Sequence, residues 1–470
     1  MTVMKRRLGL WNGLLALGLL VPLMARAQTD SNAQPYLERA TKLIDRALQE
    51  RQAYDMLREL TLTIGPRLSG SPQAAAAVEW GRQKLVQIGA DSVWLQPVMV
   101  PRWVRGEVEE AEIIQSTIVG DHPLTVCALG GSVGTPEMGV IGEVIEVHDF
   151  DELARLGKKA IAGKIVFFNR PMDPAERNTF RAYGGAVNQR TRGAAEAAKY
   201  GAVAVLVRSM TTRLDDVPHT GGMRYIAGIP KIPAAAISTL DAEFLSRLLK
   251  REDHVRVRLR LSCETLPDVP SANVIGEIRG SEKPDEIIVI GGHLDSWDKG
   301  HGAHDDGAGC VQSIEALRLL RALGLHPKRT IRAVLFMNEE NGLRGGREYA
   351  RVARQQGWRH VAAIESDRGG FAPRGFSVDA PPAVVEKLAR WAYLFEQIEA
   401  GVIRRGGGGA DISPLKRQGV PTIGLMVDSH RYFDYHHSDN DTFDKVNERE
   451  LELGAAMLAI LSYVLAQEGL

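Results

Sequence analysis

Gly291 to Gly309, GGHLDSWDKGHGAHDDGAG, sets two histidine–acid groupings among glycines: His293 with Asp295, and His304 with Asp305 and Asp306. Further along, NEEN carries Glu339 and Glu340, ESDRGG carries Asp367, and YHHSDNDTFD carries His436 and His437. Alone, an HLD is a loop histidine and a Glu pair is a solvated surface pair. Together, two histidines and three to five carboxylates form the nitrogen and oxygen donor set that holds two divalent metals for hydrolysis. His293 and Asp295 are two apart, so in extended chain their side chains share a side. The Asp295 carboxylate is therefore expected to accept the second ring N–H of His293 and fix its tautomer. Gly302, Gly307 and Gly309 let backbone crowd close to the site. With Glu339 beside Glu340, one carboxylate can bind metal while its neighbour reaches a metal-activated water.

The elements ahead of these groups explain how they could converge. EIIVIGG, TIRAVLFM, HVAAIES and VPTIGLMV are near-continuous apolar runs, as in parallel strands covered on both faces. GAGCVQSIEALRLLRALGL, between the first two, reads as a crossover helix. The alternation predicts an α/β fold with a doubly wound, mostly parallel sheet. Ligands bind such sheets beyond the carboxyl ends of the strands, where all four groups fall. Upstream, Tyr36–Leu62 and Ala74–Ile88 read as helices, followed by the strands DSVWLQPVMV and GEVEEAEIIQ. From Pro123 to Ser262 the texture becomes short strands, turns and one Ala-rich helix, which predicts an inserted, smaller, β-rich α+β domain. The expected division is a leader at 1–27, the first part of the main domain at 28–122, the insertion at 123–262, and the site-bearing second part at 263–470.

The totals narrow the function. Balanced charge, 58 Lys+Arg against 58 Asp+Glu, leaves no footprint for nucleic acid or an anionic membrane. MTVMKRR, the apolar LGLWNGLLALGLLVPLM and the small residues ARA predict a secretory signal peptide cleaved between Ala27 and Gln28. Asn12 and Pro22 in the short apolar run argue against an uncleaved anchor. The mature protein is expected outside the cytoplasm, periplasmic or secreted, and no later segment reads as long and apolar enough to span a bilayer. Three cysteines are an odd count for an exported chain. Cys310 is expected to pack as a small hydrophobe, and whether Cys127 and Cys263 pair stays open.

The motifs GGHLDSWD, GAHDDGAG, NEENGLRGG, ESDRGGF and HHSDNDTFD resemble those of the dizinc aminopeptidase and glutamate carboxypeptidase superfamily. IGPRLSGSP, EW and VPRWVRGE extend the likeness to its carboxypeptidase Q-like peptidases, over nearly all of the chain after the leader. The resemblance implies a zinc-exopeptidase sheet with a protease-associated domain at 123–262. It implies that His293 and Asp367 bind one metal, that Glu340 and a late histidine bind the other, that Asp305 bridges them, and that Glu339 is the general acid/base. Asp295, through His293, would serve catalysis as well. His437 fits the family's spacing better than His436, because it stands four residues before Asp441 and Thr442. The cofactor implied is two Zn2+ per chain, with manganese or cobalt left open by the donor set. A cis Asp305–Asp306 peptide, a substrate contact at Asp411 in GGGGADISP, and a homodimer are implied too. His304 departs from the pattern, since relatives often carry Asn, Thr or Asp there.

The expected activity is hydrolysis of short peptides, dipeptides foremost, by an exported dinuclear zinc exopeptidase. Carboxypeptidase or aminopeptidase action on longer peptides is the alternative. Which terminus is read stays open, because Arg344, Arg368, Arg374 and Arg431 all lie near site motifs. Other classes fare worse. GGSVG matches a serine nucleophile elbow at Ser132 but lacks the following helix that the elbow requires. A receptor-like homologue with a decayed site would not keep every ligand position, and a cyclase-type acyltransferase would hold one metal. DNDTFD lacks the Gly and terminal Glu of a calcium loop.

Overall fold

In chain order the first strands are β1 (Ser92–Val104), β2 (Glu109–Ser116), β3 (Gly120–Leu124), β4 (Val126–Ala128), β5 (Val140–Val147), β6 (Ile165–Phe168), β7 (Ala204–Arg208) and β8 (Ala234–Ile237). They are followed by β9 (Arg256–Leu261), β10 (Glu264–Ile278), β11 (Lys283–His293), β12 (Arg329–Phe336), β13 (Arg359–Glu365), β14 (Pro373–Asp379), β15 (Val402–Arg405) and β16 (Thr422–Val427). This computed structural model describes residues 33–470, and the expected leader lies outside the described residues. Among the described residues the strands form two eight-stranded sheets. The main sheet runs β1-β10-β12-β11-β13-β16-β14-β15, the second β3-β2-β9-β5-β6-β7-β8-β4.

The four apolar runs are β11, β12, β13 and β16, and they pair in parallel at the centre of the main sheet. β12 and β16 are buried at every position, which is why these runs carry no polar alternation. His293 pairs with Phe336, the last residues of β11 and β12, and Gly291 pairs with Glu365, the last of β13. Three strands thus end nearly level. The chain leaves β11 for β12 on one side and returns to β13 on the other, so the crevice where strand order reverses opens beside His293.

Helix Ala308–Ala322 makes the expected crossover and packs against helix Glu448–Glu468. The latter corrects one expectation. By length and hydropathy it passes for a membrane span, yet the residues of its middle, Leu451 to Ala466, are all buried by protein. Burial of Leu451, Leu458, Leu461 and Leu465 contributes about 1.5–3 kcal/mol each. At the other end of the chain, the single helix expected at 36–62 breaks at Arg51, whose φ of 54° ends helix Ala33–Glu50 before Gln52–Glu59 begins.

The second sheet differs from its expectation in two ways. It takes in β2 and β3, ahead of the expected boundary at 123, because β2 pairs with β9 rather than with the main sheet. β1 and β2 read alike in sequence, and the turn between them contains Gly106 at φ 75°. The lobe also carries four helices among the described residues: Phe150–Ile161, Thr179–Ala186, Asn188–Ala198 and Thr239–Leu249. Only the Ala-rich Asn188–Ala198 was expected. Asp149, Asn178 and Ser238 cap three of them by accepting a backbone N–H three residues on.

Trp297 and Arg105 help to dock the lobes. Trp297, from the loop after β11, fits against Gly130, where an added Cβ would lie 1.8 Å from the indole ring. Arg105 spans from the β1–β2 turn to the Asp298 carboxylate at 2.9 Å. Cys127 and Cys263 do not pair; all three cysteines are free and buried, and Cys263 donates to the Ser132 carbonyl at 3.3 Å. Ser132 itself is buried, with its hydroxyl accepting from the Ala234 N–H at 2.9 Å, and no helix follows it.

Candidate metal centre

His293, Glu339, Glu340 and Asp367 ride on the ends of central strands, while Asp305 lies in the turn before helix Ala308–Ala322 and His437 in the loop after β16. His293 is the last residue of β11, Glu339 and Glu340 follow β12 by a turn through Asn338, and Asp367 stands two residues past β13. His293 Nε2 lies 3.2 Å from Asp305 Oδ1 and 3.6 Å from Asp367 Oδ1. His437 Nε2 lies 3.0 Å from Glu340 Oε2 and 3.3 Å from Asp305 Oδ2. Two histidine–carboxylate groups therefore meet at Asp305. His436 stacks on His437 at 3.5 Å, with its Nε2 further out, 3.8 Å from Asp305.

The donor set fits a divalent cation. Asp305 Oδ2 and Glu340 Oε1 are buried without a hydrogen-bond partner, which costs free energy unless a cation satisfies them. Among the protein groups alone, burial pushes Glu340 up to about 7, with Asp305 adding to the rise against His437. Burial also holds Glu339 well above the usual carboxylate range, and Asp367, Glu340 and Asp305 reinforce this. Burial would lower His437, but Glu340 and Asp305 overcome it and raise the imidazole to about 9. Nitrogen and carboxylate oxygens crowded this closely suit zinc.

The surrounding backbone is fixed by Asp306, Asp441 and Arg67, of which the sequence did not single out Arg67. Asp306, joined to Asp305 by a cis peptide, accepts from the His293 N–H and the Gly309 N–H, both at 3.0 Å. Asp441 accepts from the N–H groups of His304 at 2.8 Å and Asp305 at 3.1 Å. Arg67 is fully buried, and its guanidinium donates to the carbonyls of Leu294, His301 and Gly302 at 2.6, 2.9 and 2.9 Å. It thereby ties both ends of the loop between His293 and Asp305. The acidic signal around Asp306 and Asp441 was visible in sequence; the bond pattern that makes them clamps was not.

Asp295 corrects an expectation. The His293 Nδ1 bonds the backbone carbonyl of Asp295 at 2.8 Å, not its carboxylate. The chain turns after β11, and the Asp295 carboxylate instead accepts from the N–H groups of Asn338 at 2.6 Å and Glu339 at 3.1 Å. It holds the turn that presents Glu339. Asp411 is buried beside Glu365. Both its carboxylate oxygens are buried without a hydrogen-bond partner, and its charged neighbours are Glu365 and Glu339. The glycine run before it has a packing reason: Gly409 approaches the Glu365 carboxylate, which accepts from the N–H groups of Ala410 and Ile412, both at 2.9 Å. His304 lies behind the metal groups, its Nδ1 accepting from the Gly370 N–H at 3.1 Å and its ring stacked on Phe371.

The second lobe reaches the site through the His436–His437 backbone. His437 sits at φ 61°, a conformation that costs a non-glycine residue about 1–3 kcal/mol. The Thr220 N–H donates to its carbonyl at 2.9 Å, and His219 Nδ1 bonds the His436 carbonyl at 2.7 Å. Trp297, wedged on Gly130, meets the His437 ring edge-on at 5.7 Å.

Comparison with known proteins settles the family. The model of peptidase family M28 matches residues 273–461. Carboxypeptidase Q of Bos taurus is 39% identical over 420 residues, covering 89% of this chain and 86% of its own. The chain belongs to peptidase family M28. It is a metallo-exopeptidase. The crystal structure of a peptidase M28 precursor from Shewanella amazonensis SB2B is similar with a TM-score of 0.88 and 37% identity, covering 93% of this chain and 98% of that one. A zinc aminopeptidase from Bacillus subtilis, at 19% identity, TM-score 0.65 and 88% and 95% coverage, shares the fold.

Proposed function

We propose that this M28 peptidase is an exported zinc exopeptidase that hydrolyses short peptides, dipeptides foremost. The observation that carries the reading is the meeting of two histidine–carboxylate groups at Asp305, with an unbonded Glu339 carboxylate beside them. His293 and Asp367 would hold one zinc ion, Glu340 and His437 a second, and Asp305 would be shared. Bound zinc acts as a Lewis acid toward the peptide carbonyl and toward the attacking water. Glu339 takes the water's proton on its carboxylate and returns it to the leaving amine. Burial holds its pKa above the usual carboxylate range, which favours holding the proton before it is returned. Asp295 holds the Glu339 backbone in place, and Asp441 holds Asp305. The second lobe, in the place of a protease-associated domain, supports the His436–His437 turn.

Similarity to carboxypeptidase Q supports peptide substrates, and the leader-like first 27 residues support export. The zinc-loaded chain is expected to release free amino acids from unblocked dipeptides, and to leave peptides blocked at both ends intact. Cleavage inside doubly blocked peptides would refute an exopeptidase.

A further inference from the structure

His293 and His437 both present Nε2 to the carboxylates of the metal groups, so each leaves its other ring nitrogen to whatever lies behind it. Behind His293 stands an acceptor, the Asp295 carbonyl, 2.8 Å from Nδ1. Behind His437 stands a donor. Arg190, on helix Asn188–Ala198 of the second lobe, donates from Nη1 to the His437 Nδ1 at 3.3 Å. A guanidinium has five N–H donors and no acceptor, so in this contact Nδ1 can only accept.

The contact is built into the packing of the two lobes. Arg190 is buried, yet among the described residues no carboxylate stands within ion-pair distance of it. Its other partners are neutral: Nη2 donates to Tyr183 Oη at 2.7 Å, Nη1 reaches the Thr220 carbonyl at 3.4 Å, and Nε is buried without a partner. A buried cation without a carboxylate is costly to keep. Gly221, at φ 136°, makes room for it. A Cβ there would collide with the Arg190 guanidinium and lie 2.7 Å from His437 Nδ1.

The consequence for metal binding follows from where the imidazole proton goes. A neutral histidine that binds a metal through Nε2 carries its proton on Nδ1. At His293 that proton meets the Asp295 carbonyl, the usual support of a metal-bound histidine and one that strengthens the ligand. At His437 it would meet an N–H of Arg190, donor against donor, beside a positive charge. One half of the centre has the hydrogen-bond polarity that a metal needs, and the other half opposes it.

We propose that Arg190 makes the ion at Glu340 and His437 the more weakly held of the two, so that the second lobe governs how readily this half of the centre loads and empties. This rests on the two-ion reading above and adds an inequality between the ions and its cause. The test is a zinc titration of the metal-stripped full chain against a competing chromophoric chelator, for the wild type, Arg190→Met and Arg190→Lys. The wild type is expected to take up two zinc ions in separate steps. Arg190→Met removes the charge and the donors, and should tighten the weaker step by about 10- to 100-fold, the range for a partner of a ligand histidine, while the tighter step stays level. Arg190→Lys keeps a donor-only cation and with it the wild-type separation. An arginine that merely braced the ring would give the opposite sign, a weaker step loosened in Arg190→Met. That result, steps unchanged by the substitution, a change confined to the tighter step, or wild-type uptake of two ions with equal affinity would overturn the assignment and leave the two-ion centre standing. Uptake of fewer than two ions by the wild type would overturn the two-ion reading itself, and this inference with it.

Discussion

The two lobes serve one site in different ways. The main sheet supplies charged atoms: every histidine and carboxylate of the metal groups comes from the ends of β11, β12 and β13 or from the loops beside helix Ala308–Ala322 and after β16. Among the described residues the second lobe supplies no such donor and instead supports the two late histidines, through the Thr220 N–H and the Arg190 guanidinium on His437 and through His219 on His436. Side-chain chemistry is concentrated in one lobe and its alignment is shared by both. Changes in the first lobe should therefore abolish turnover outright, and changes in the second should loosen it by degrees.

The largest expected effect lies with Glu339. Glu339→Gln should lower kcat by about 10²- to 10⁴-fold, the usual worth of a general acid/base, while metal content stays at the wild-type level. Retained turnover in that variant would move the proton-transfer role elsewhere. Next comes pH. Without a cation His437 titrates near 9 and Glu340 near 7, so zinc must displace a proton from His437 at neutral pH and from both below pH 7. Zinc affinity should weaken as pH falls, by about tenfold or more per unit between 9 and 7 and more steeply below. Isothermal titration across that range reads the slope; a flat profile would contradict the assigned ligands.

Gly130→Val tests the second lobe alone. A side chain there collides with the Trp297 ring, and overpacking of this kind costs about 1–3 kcal/mol. Thermal unfolding should shift downward, with kcat reduced several-fold rather than lost, because Trp297 no longer braces His437. A full loss of activity would mean that the second lobe does more than align. The smallest expected effect is that of Ser132→Ala. Its hydroxyl accepts the Ala234 N–H inside the second lobe, so stability falls by about 1–3 kcal/mol while kcat is unchanged.

The same contrast explains what could be read from sequence. Strand-end donors were legible because buried parallel strands are near-continuous apolar runs, and the polar residues that follow them stand out, as His293 and the Glu339–Glu340 pair do. Helices in the second lobe were less so. Phe150–Ile161 is interrupted by non-helical backbone at Gly157, and Thr239–Leu249 was not among the expected elements. The role of Asp295 was misplaced because strand geometry was extended past the end of β11, where the chain has already turned. Arg67, Gly130 and Thr220 act on backbone or by leaving room, and neither property has a local sequence signature.

The central claim is that two zinc ions sit at Asp305 and drive peptide hydrolysis. Zinc per chain, measured on the full-length protein alongside hydrolysis of an unblocked dipeptide before and after chelation, tests it most directly. About two zinc ions per chain, with turnover lost on chelation and restored by zinc, is the result expected. One ion or none, or hydrolysis that survives the chelator, would contradict it.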